Sequence, residues 1–255
     1  MATTAATAKL SDDELLEMLS IIKDSDSVEL KLTIPEAAQR SSVLALGMDP
    51  LAAQVRLIYF FDTPDLALER AGVVVRARRT RQGDDSVVKL RPVVPSELPA
   101  GVRNAELCKV EVDAAPGGHV CSASFKGVPK TSIPEVVAGS APIRKLFSKG
   151  QRAFFADNAP EGIELDDLSI LGPIFILKLK ATPPGYAGKM VVELWLFPDG
   201  SRVLELSTKC APTEAFQVAA EARAFLAERG IKTTGAQTTK TRKALQFFAK
   251  QPSRA

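Results

Sequence analysis

The sequence predicts an α+β fold: an eight-stranded antiparallel β-barrel covered by helices, with a helical insertion. Three observations predict it. Eight short runs alternate apolar and polar residues with a period of two, as a strand buried on one face does. On the polar faces the charges are ordered: cations sit two residues apart on three runs (Arg76/Arg78, Lys89/Arg91, Lys178/Lys180), and acids gather on four others. Several longer stretches have helical periodicity and can cover apolar sheet surface. An open sheet with its polar face in water is the plainer reading of such alternation. Same-face cation pairs repel, however. They are better accommodated where polar faces turn inward around carboxylates, water and a bound polyanion.

In chain order, 11–23 is a helix with Ser11 as N-cap, acids in its first turn and a stripe of Leu15, Met18, Leu19 and Ile22. Residues 1–26 are read as an N-terminal helical extension to a barrel domain spanning 27–255. Residues 27–34 alternate, with Glu29 and Lys31 on the polar face. Pro35 opens a helix to about Leu46. A second strand at 54–61 leads to Asp62, either a helix cap or a site residue, and to a short helix opened by Pro64. The Arg76/Arg78 and Lys89/Arg91 runs flank Arg81-Gln82-Gly83-Asp84-Asp85 and read as a hairpin. Residues 92–103 are proline-rich and close that unit. Residues 105–113 alternate again and bring Lys109, Glu111 and Asp113 together. From 114 to 172 the alternation stops, and two expected helices, 132–137 and 142–156, make this segment a helical insertion. Strands at 174–181, 190–197 and 202–209 follow, the last two around a Pro198-Asp199-Gly200-Ser201 turn. Helices at 212–229 and 239–250 end the reading, with Pro252 beyond the second. Basic Lys240, Arg242 and Lys243 on that last helix could reach a phosphate, but basic residues on a terminal helix are more often a solvated face, the reading preferred here.

Composition narrows the function. A net charge of +3 on 255 residues gives no case for nucleic-acid binding. No apolar run approaches the ~20 residues of a membrane-spanning helix, and residues 1–10 lack the apolar core of a secretory signal. Cys108, Cys121 and Cys210 are odd in number and show no metal spacing, which suits reduced thiols and a cytoplasmic location. His119 is the single histidine, so Ser–His or His–metal chemistry is thinly supplied.

The ordered motifs resemble those of the CYTH superfamily, the triphosphate tunnel metalloenzymes. Ser27-Val28-Glu29-Leu30-Lys31-Leu32 is similar to that family's Glu-x-Glu-x-Lys opening strand, and Phe60-Phe61-Asp62-Thr63 to its Tyr-Phe-Asp-Thr segment. Arg-Ala-Arg, Lys-Leu-Arg and Glu-Val-Asp then follow in the family's order, and Lys-Leu-Lys, Glu-Leu-Trp and Glu-Leu-Ser match more loosely. The resemblance implies an antiparallel tunnel that binds a triphosphate-containing small molecule. Lys31, Arg76, Arg78, Lys89, Arg91, Lys178 and Lys180 would hold phosphate oxygens. Glu29, Glu111, Asp113, Glu193 and Glu205 would ligate Mg²⁺ or Mn²⁺, with Glu29 and Glu205 acting in catalysis as ligands of a metal that activates water.

The activity implied is metal-dependent hydrolysis of inorganic triphosphate or a nucleoside triphosphate. Two alternatives stay open: a non-catalytic polyphosphate- or nucleotide-binding module, and a class IV adenylyl cyclase. The departures bear on that choice. Ser27 and Ser207 stand where the family has glutamates, Trp195 fills another inward position, and Lys180 replaces an arginine. Divalent affinity follows ligand charge and number, so the cationic half of the tunnel is the better preserved.

Overall fold

The structure, a computed structural model, describes residues 11–232 and 240–250. Thr239 and Pro252, expected in and beyond the last helix, and the 1–10 segment lie outside the described residues. Nine strands are described: β1 (Ser27–Ile34), β2 (Gln54–Asp62), β3 (Val73–Thr80), β4 (Gly83–Leu90), β5 (Cys108–Ala115), β6 (Gly118–Gly127), β7 (Ser169–Ala181), β8 (Met190–Leu196) and β9 (Arg202–Cys210). They close into one barrel in the order β1-β5-β6-β4-β3-β2-β7-β8-β9.

Two details correct the expectation of eight antiparallel strands. The ninth is β6, inside the 114–172 segment expected to be a helical insertion. It pairs with β5 from Cys108↔Phe125 to Ala115↔Gly118, leaving Pro116-Gly117 as a two-residue turn. Gly117 has φ +95°, the positive value that a proline-glycine turn of this kind requires at its second central position. The second correction is that β1 and β5 run parallel, with Ser27 beside Glu111 and Glu29 beside Asp113. The other pairings are antiparallel.

Among the described residues eight α-helices accompany the barrel: α1 (Asp12–Lys23), α2 (Gln39–Ala45), α3 (Ala67–Arg70), α4 (Ala100–Arg103), α5 (Ile133–Val137), α6 (Lys149–Ala156), α7 (Ala215–Glu228) and α8 (Lys240–Ala249). The first begins at a capping box in which Ser11 and Glu14 each bond the other's backbone N–H. The stretch expected as one helix over 142–156 is a 3₁₀ turn and then α6, because Ser148 caps a new start. Asp62 is a structural cap: its carboxylate accepts from the N–H groups of Thr63, Leu68 and Glu69 at 2.8, 2.9 and 3.1 Å.

The apolar faces of the strands point outward and are buried beneath helices. Ile21, Ile22, Ile133, Val136, Phe154 and Phe155 from α1, α5 and α6 pack with Val28, Val75, Val88, Val110, Val112 and Ala123. Ala222, Phe225 and Leu226 of α7 cover Leu32, Val192, Leu204 and Leu206. The last helix does something else. Ala244 and Leu245 of α8 join Ile58, Phe60, Val74, Ile174, Ile176, Trp195 and Val203, which belong to the inward-facing set. One end of the barrel interior is thus apolar and covered by α8, and the charged positions occupy the rest. No helix among the described residues is long and apolar enough to cross a membrane.

Candidate functional site

Alternation and register decide which side chains share the interior. In β1, Ser27, Glu29, Lys31 and Thr33 stand opposite Glu111 and Asp113 on one side and Glu205, Ser207 and Lys209 on the other. Around the wall, Glu193 pairs with both Glu205 and Lys178, Gln54 with Lys178, Arg56 with Thr80, and Arg78 with Asp85. Lys89 of β4 and Asp113 of β5 are separated by β6, yet their charged atoms lie 3.7 Å apart. Side chains two strands apart converge in this way on the concave face of a barrel. Register therefore puts Glu29, Lys31, Arg76, Arg78, Lys89, Glu111, Asp113, Lys178, Glu193 and Glu205 on the inner face of the barrel, with Arg91 just past the end of β4.

The interior has an acidic and a basic region. Lys31 Nζ lies 2.8 Å from Asp113 Oδ1 and 3.2 Å from Glu29 Oε2. Glu111 pairs with Lys209, and Ser27 Oγ donates to it at 3.3 Å. Oxygens of Glu29, Glu111 and Asp113 all lie within 4.8 Å of one another. Three converging carboxylates form an all-oxygen donor set that fits a hard divalent cation, which these residues could hold. Burial works to raise the pKa of Asp113, but Lys89 and Lys31 outweigh it and hold the carboxyl below its usual range. The same contest, with Lys31 as the main opponent of burial, lowers Glu29. Burial likewise opposes the charge on Lys31, yet Asp113, Glu29 and Glu205 raise its pKa overall.

Glu193 and Glu205 belong to a separate group. Lys178 lies 2.9 Å from Glu193, and Lys240 of α8 pairs with Glu193 and lies 2.7 Å from Glu205. Lys240 is thus not the solvated residue expected from the sequence. Lys243 instead stands over the Phe197 ring, 5.4 Å from its centroid, and Arg242 pairs with Glu69 at 3.1 Å.

The basic region is only partly compensated, by Asp85 beside Arg78 and Asp113 beside Lys89. Arg76 forms no ion pair among the described residues, and its Nε is buried without a hydrogen-bond partner. Burial, then the neighbouring Arg78 charge, pull its pKa down to about 10. Burial also lowers Lys89 and Arg91, Asp113 only partly opposing it, and burial with the neighbouring Arg78 charge lowers Arg56. Lys180 sits on the same face of β7 as Lys178 but is exposed at the rim. Two residues of this region were missed by sequence reasoning. Arg56 lies one alternation step from Ile58 on β2, and Asp85 two steps back from Lys89 on β4. Counting by twos through the supposed turn would have found Asp85. A cavity of about 540 Å³ opens between Lys31, Asp113, Arg91, Glu205 and Lys240, with His119 at its edge.

The closed barrel with charged side chains on its inner face is the kind of tunnel that the motif resemblance leads one to expect. No protein-family model matches the chain, and no curated protein matches its sequence. Solved structures do match. A candidate adenylate cyclase from Bacillus halodurans aligns with a TM-score of 0.59 at 11% identity, over 86% of this chain and 97% of that one. HpAC1 from Hippeastrum, a candidate adenylyl cyclase with a dominant triphosphatase activity, aligns with a TM-score of 0.57 at 18% identity, over 82% and 91%. At these identities the likeness is one of fold.

Proposed function

We propose that the barrel interior binds a chain of linked phosphates and, with a divalent cation, hydrolyses a triphosphate. The observation that carries this reading is Arg76: a half-buried side chain in the wall whose buried Nε has no hydrogen-bond partner, beside Arg56, Arg78, Lys89 and Arg91. Burying an unpaired charge is costly, and a cluster of like charges more so. A polyanion removes that cost on binding. The arginines offer planar forks to phosphate oxygens and the lysines compact point charges. Glu29, Glu111 and Asp113 would hold a metal next to this cradle. When bound, such an ion neutralises charge on the phosphoryl group and lowers the pKa of an attacking water. Lys31 pairs with Glu29 and Asp113 and also lines the cavity, in position to balance the acids before ligand arrives and to meet a phosphate afterwards.

The loss of glutamates at Ser27 and Ser207 favours a second reading, a binding module without turnover. Phosphate release from tripolyphosphate and from ATP, with and without Mg²⁺ or Mn²⁺, separates the two. Metal-dependent release supports hydrolysis. A raised melting temperature with tripolyphosphate and no release supports binding alone. Cyclic AMP formed from ATP would instead support the cyclase alternative, and neither release, product nor melting shift would remove the proposal.

A further inference from the structure

Glu193 and Glu205 face each other directly across the β8–β9 pairing. Like charges in that position destabilise a sheet, and here both are largely buried, with side-chain exposures of 17% and 7%. The cation that reconciles them comes from outside the barrel wall. Lys240, in the first turn of α8, pairs with both carboxylates. Its ammonium also stands over the Trp195 ring, 5.2 Å from the centroid. Lys178 closes Glu193 from the other side. Two carboxylates and two ammonium groups make this group neutral, and the apolar residues of α8 anchor the lysine in the barrel end.

We infer that Lys240 is a built-in cation at the Glu193–Glu205 pair, occupying by means of a helix the place where two such carboxylates would otherwise bind a divalent ion. Metal is then confined to Glu29, Glu111 and Asp113, and Lys240 acts as a positioning residue that sets the number and location of cations in the interior. From the proposed function this takes only that the interior accepts divalent cations. Trp195 has a matching role: at an inward position it supplies an aromatic face to the ammonium in place of another carboxylate, and its Nε1 donates to Glu193 at 3.3 Å.

The test is a count of Mn²⁺ bound per full-length chain, by calorimetric titration and by electron paramagnetic resonance of free Mn²⁺. Lys240→Met should bind one Mn²⁺ more than wild type, and Lys240→Met/Glu205→Gln should lose that extra ion. The metal-free single variant should melt below wild type and recover more on adding Mn²⁺ than wild type does. Glu205→Gln in the wild-type background provides an arm that does not depend on the lysine variant folding. It should leave the Mn²⁺ count unchanged and the affinity within about threefold. An unchanged count in folded Lys240→Met, or a larger loss of affinity in Glu205→Gln, overturns the inference. Phosphate release measured on the same samples reports separately on hydrolysis. An extra Mn²⁺ without turnover in any sample leaves Lys240 in this role and removes the hydrolase reading, and turnover without the extra ion does the reverse.

Discussion

Arg78 and Asp85 face each other across the β3–β4 hairpin, and the guanidinium forks onto the carboxylate with Nε at 2.9 and 3.1 Å and a terminal nitrogen at 2.7 Å. Asp85 is therefore a resident partner for one arginine of an otherwise poorly compensated set. Asp85→Asn removes the charge and keeps the shape. Arg78 is then left beside Arg56 and Arg76 with a neutral partner, in a site only partly open to water. The expected cost to the ligand-free protein is about 2 kcal/mol, below the range for fully buried pairs. Tripolyphosphate should restore what the substitution removes, so its melting shift should be larger in the variant than in wild type. Equal shifts would mean that Arg78 does not meet the ligand.

Arg76 makes the opposite trade. Its side chain is half-buried, with a buried, unpartnered Nε and no ion pair among the described residues, so Arg76→Met should leave the ligand-free protein as stable as wild type or more so. Tripolyphosphate binding should weaken by about 30-fold or more, the effect of about 2 kcal/mol lost with one buried charge contact. Thermal melting and calorimetric titration read the two quantities independently. A variant that melts lower and binds normally would place Arg76 in the fold and not in the site.

Much of this geometry was legible because a barrel interior is read by twos. Glu29, Lys31, Arg76, Arg78, Lys89, Glu111, Asp113, Lys178, Glu193 and Glu205 could be assigned to one face from alternation alone, and β1 has the expected limits of 27 and 34. The strand β6 was not legible in the same way. Cys121, Ser122, Ala123 and Ser124 are small residues with weak strand signals, and Pro116-Gly117-Gly118 reads as a breaker as readily as a hairpin turn. Asp85 was hidden because Gly83 and Asp84 look like turn residues but already pair with Thr80 and Arg79. Lys240 could not be found from periodicity. Its role depends on where α8 docks, and nothing local to 240–249 specifies that a lysine in its first turn meets two glutamates of distant strands. The same docking explains why Ile58, Phe60, Ile174 and Ile176 are apolar on a face that is elsewhere charged.

The acids predict an asymmetric response to pH in metal-free buffer. The carboxyls of Glu29, Asp113 and Glu193 are held below their ordinary values of 4.5, 3.8 and 4.5, where burial is outweighed by lysines. Their contribution to stability is fully present above those ordinary values and is lost as pH falls through the lower folded ones. Glu205 is shifted upward by burial, which Lys240 only partly offsets, so its ionisation works against folding as pH rises through its raised value. The melting temperature should therefore fall steeply below about pH 4.5, as expected for carboxylates that are paired in the fold. Glu193→Gln should flatten that acid limb, because Glu193 is held well below its ordinary value. An acid limb of unchanged steepness in the variant would show that the Lys178–Glu193–Lys240 group contributes little.

Gln151 tests whether the outer helices hold the barrel wall. Its side chain is fully buried, and its Nε2 donates to the carbonyls of Ser86 at 3.0 Å and Phe125 at 3.1 Å, one on β4 and one on β6. Its Oε1 accepts from the Ser148 N–H at 2.9 Å and from Ser86 Oγ at 3.2 Å. One amide thus joins the first turn of α6 to the seam between two strands, and Gly127 is the residue that leaves room for it: a Cβ there would lie 2.6 Å from Gln151 Oε1. Gln151→Leu keeps most of the volume and removes all four bonds, leaving buried donors and acceptors unmatched at about 1 kcal/mol each or more. A loss of about 3 kcal/mol, or roughly 6–12 °C in Tm for a chain of this size, is expected. Gly127→Ala should produce a smaller loss by pushing the same amide aside. The seam it closes is the wall that carries Lys89, so tripolyphosphate binding should weaken along with stability in Gln151→Leu. Hydrogen exchange at the amides of β4 and β6 should then rise above that of β8 and β9; uniform exchange across the barrel would mean that α6 contributes nothing local to this wall.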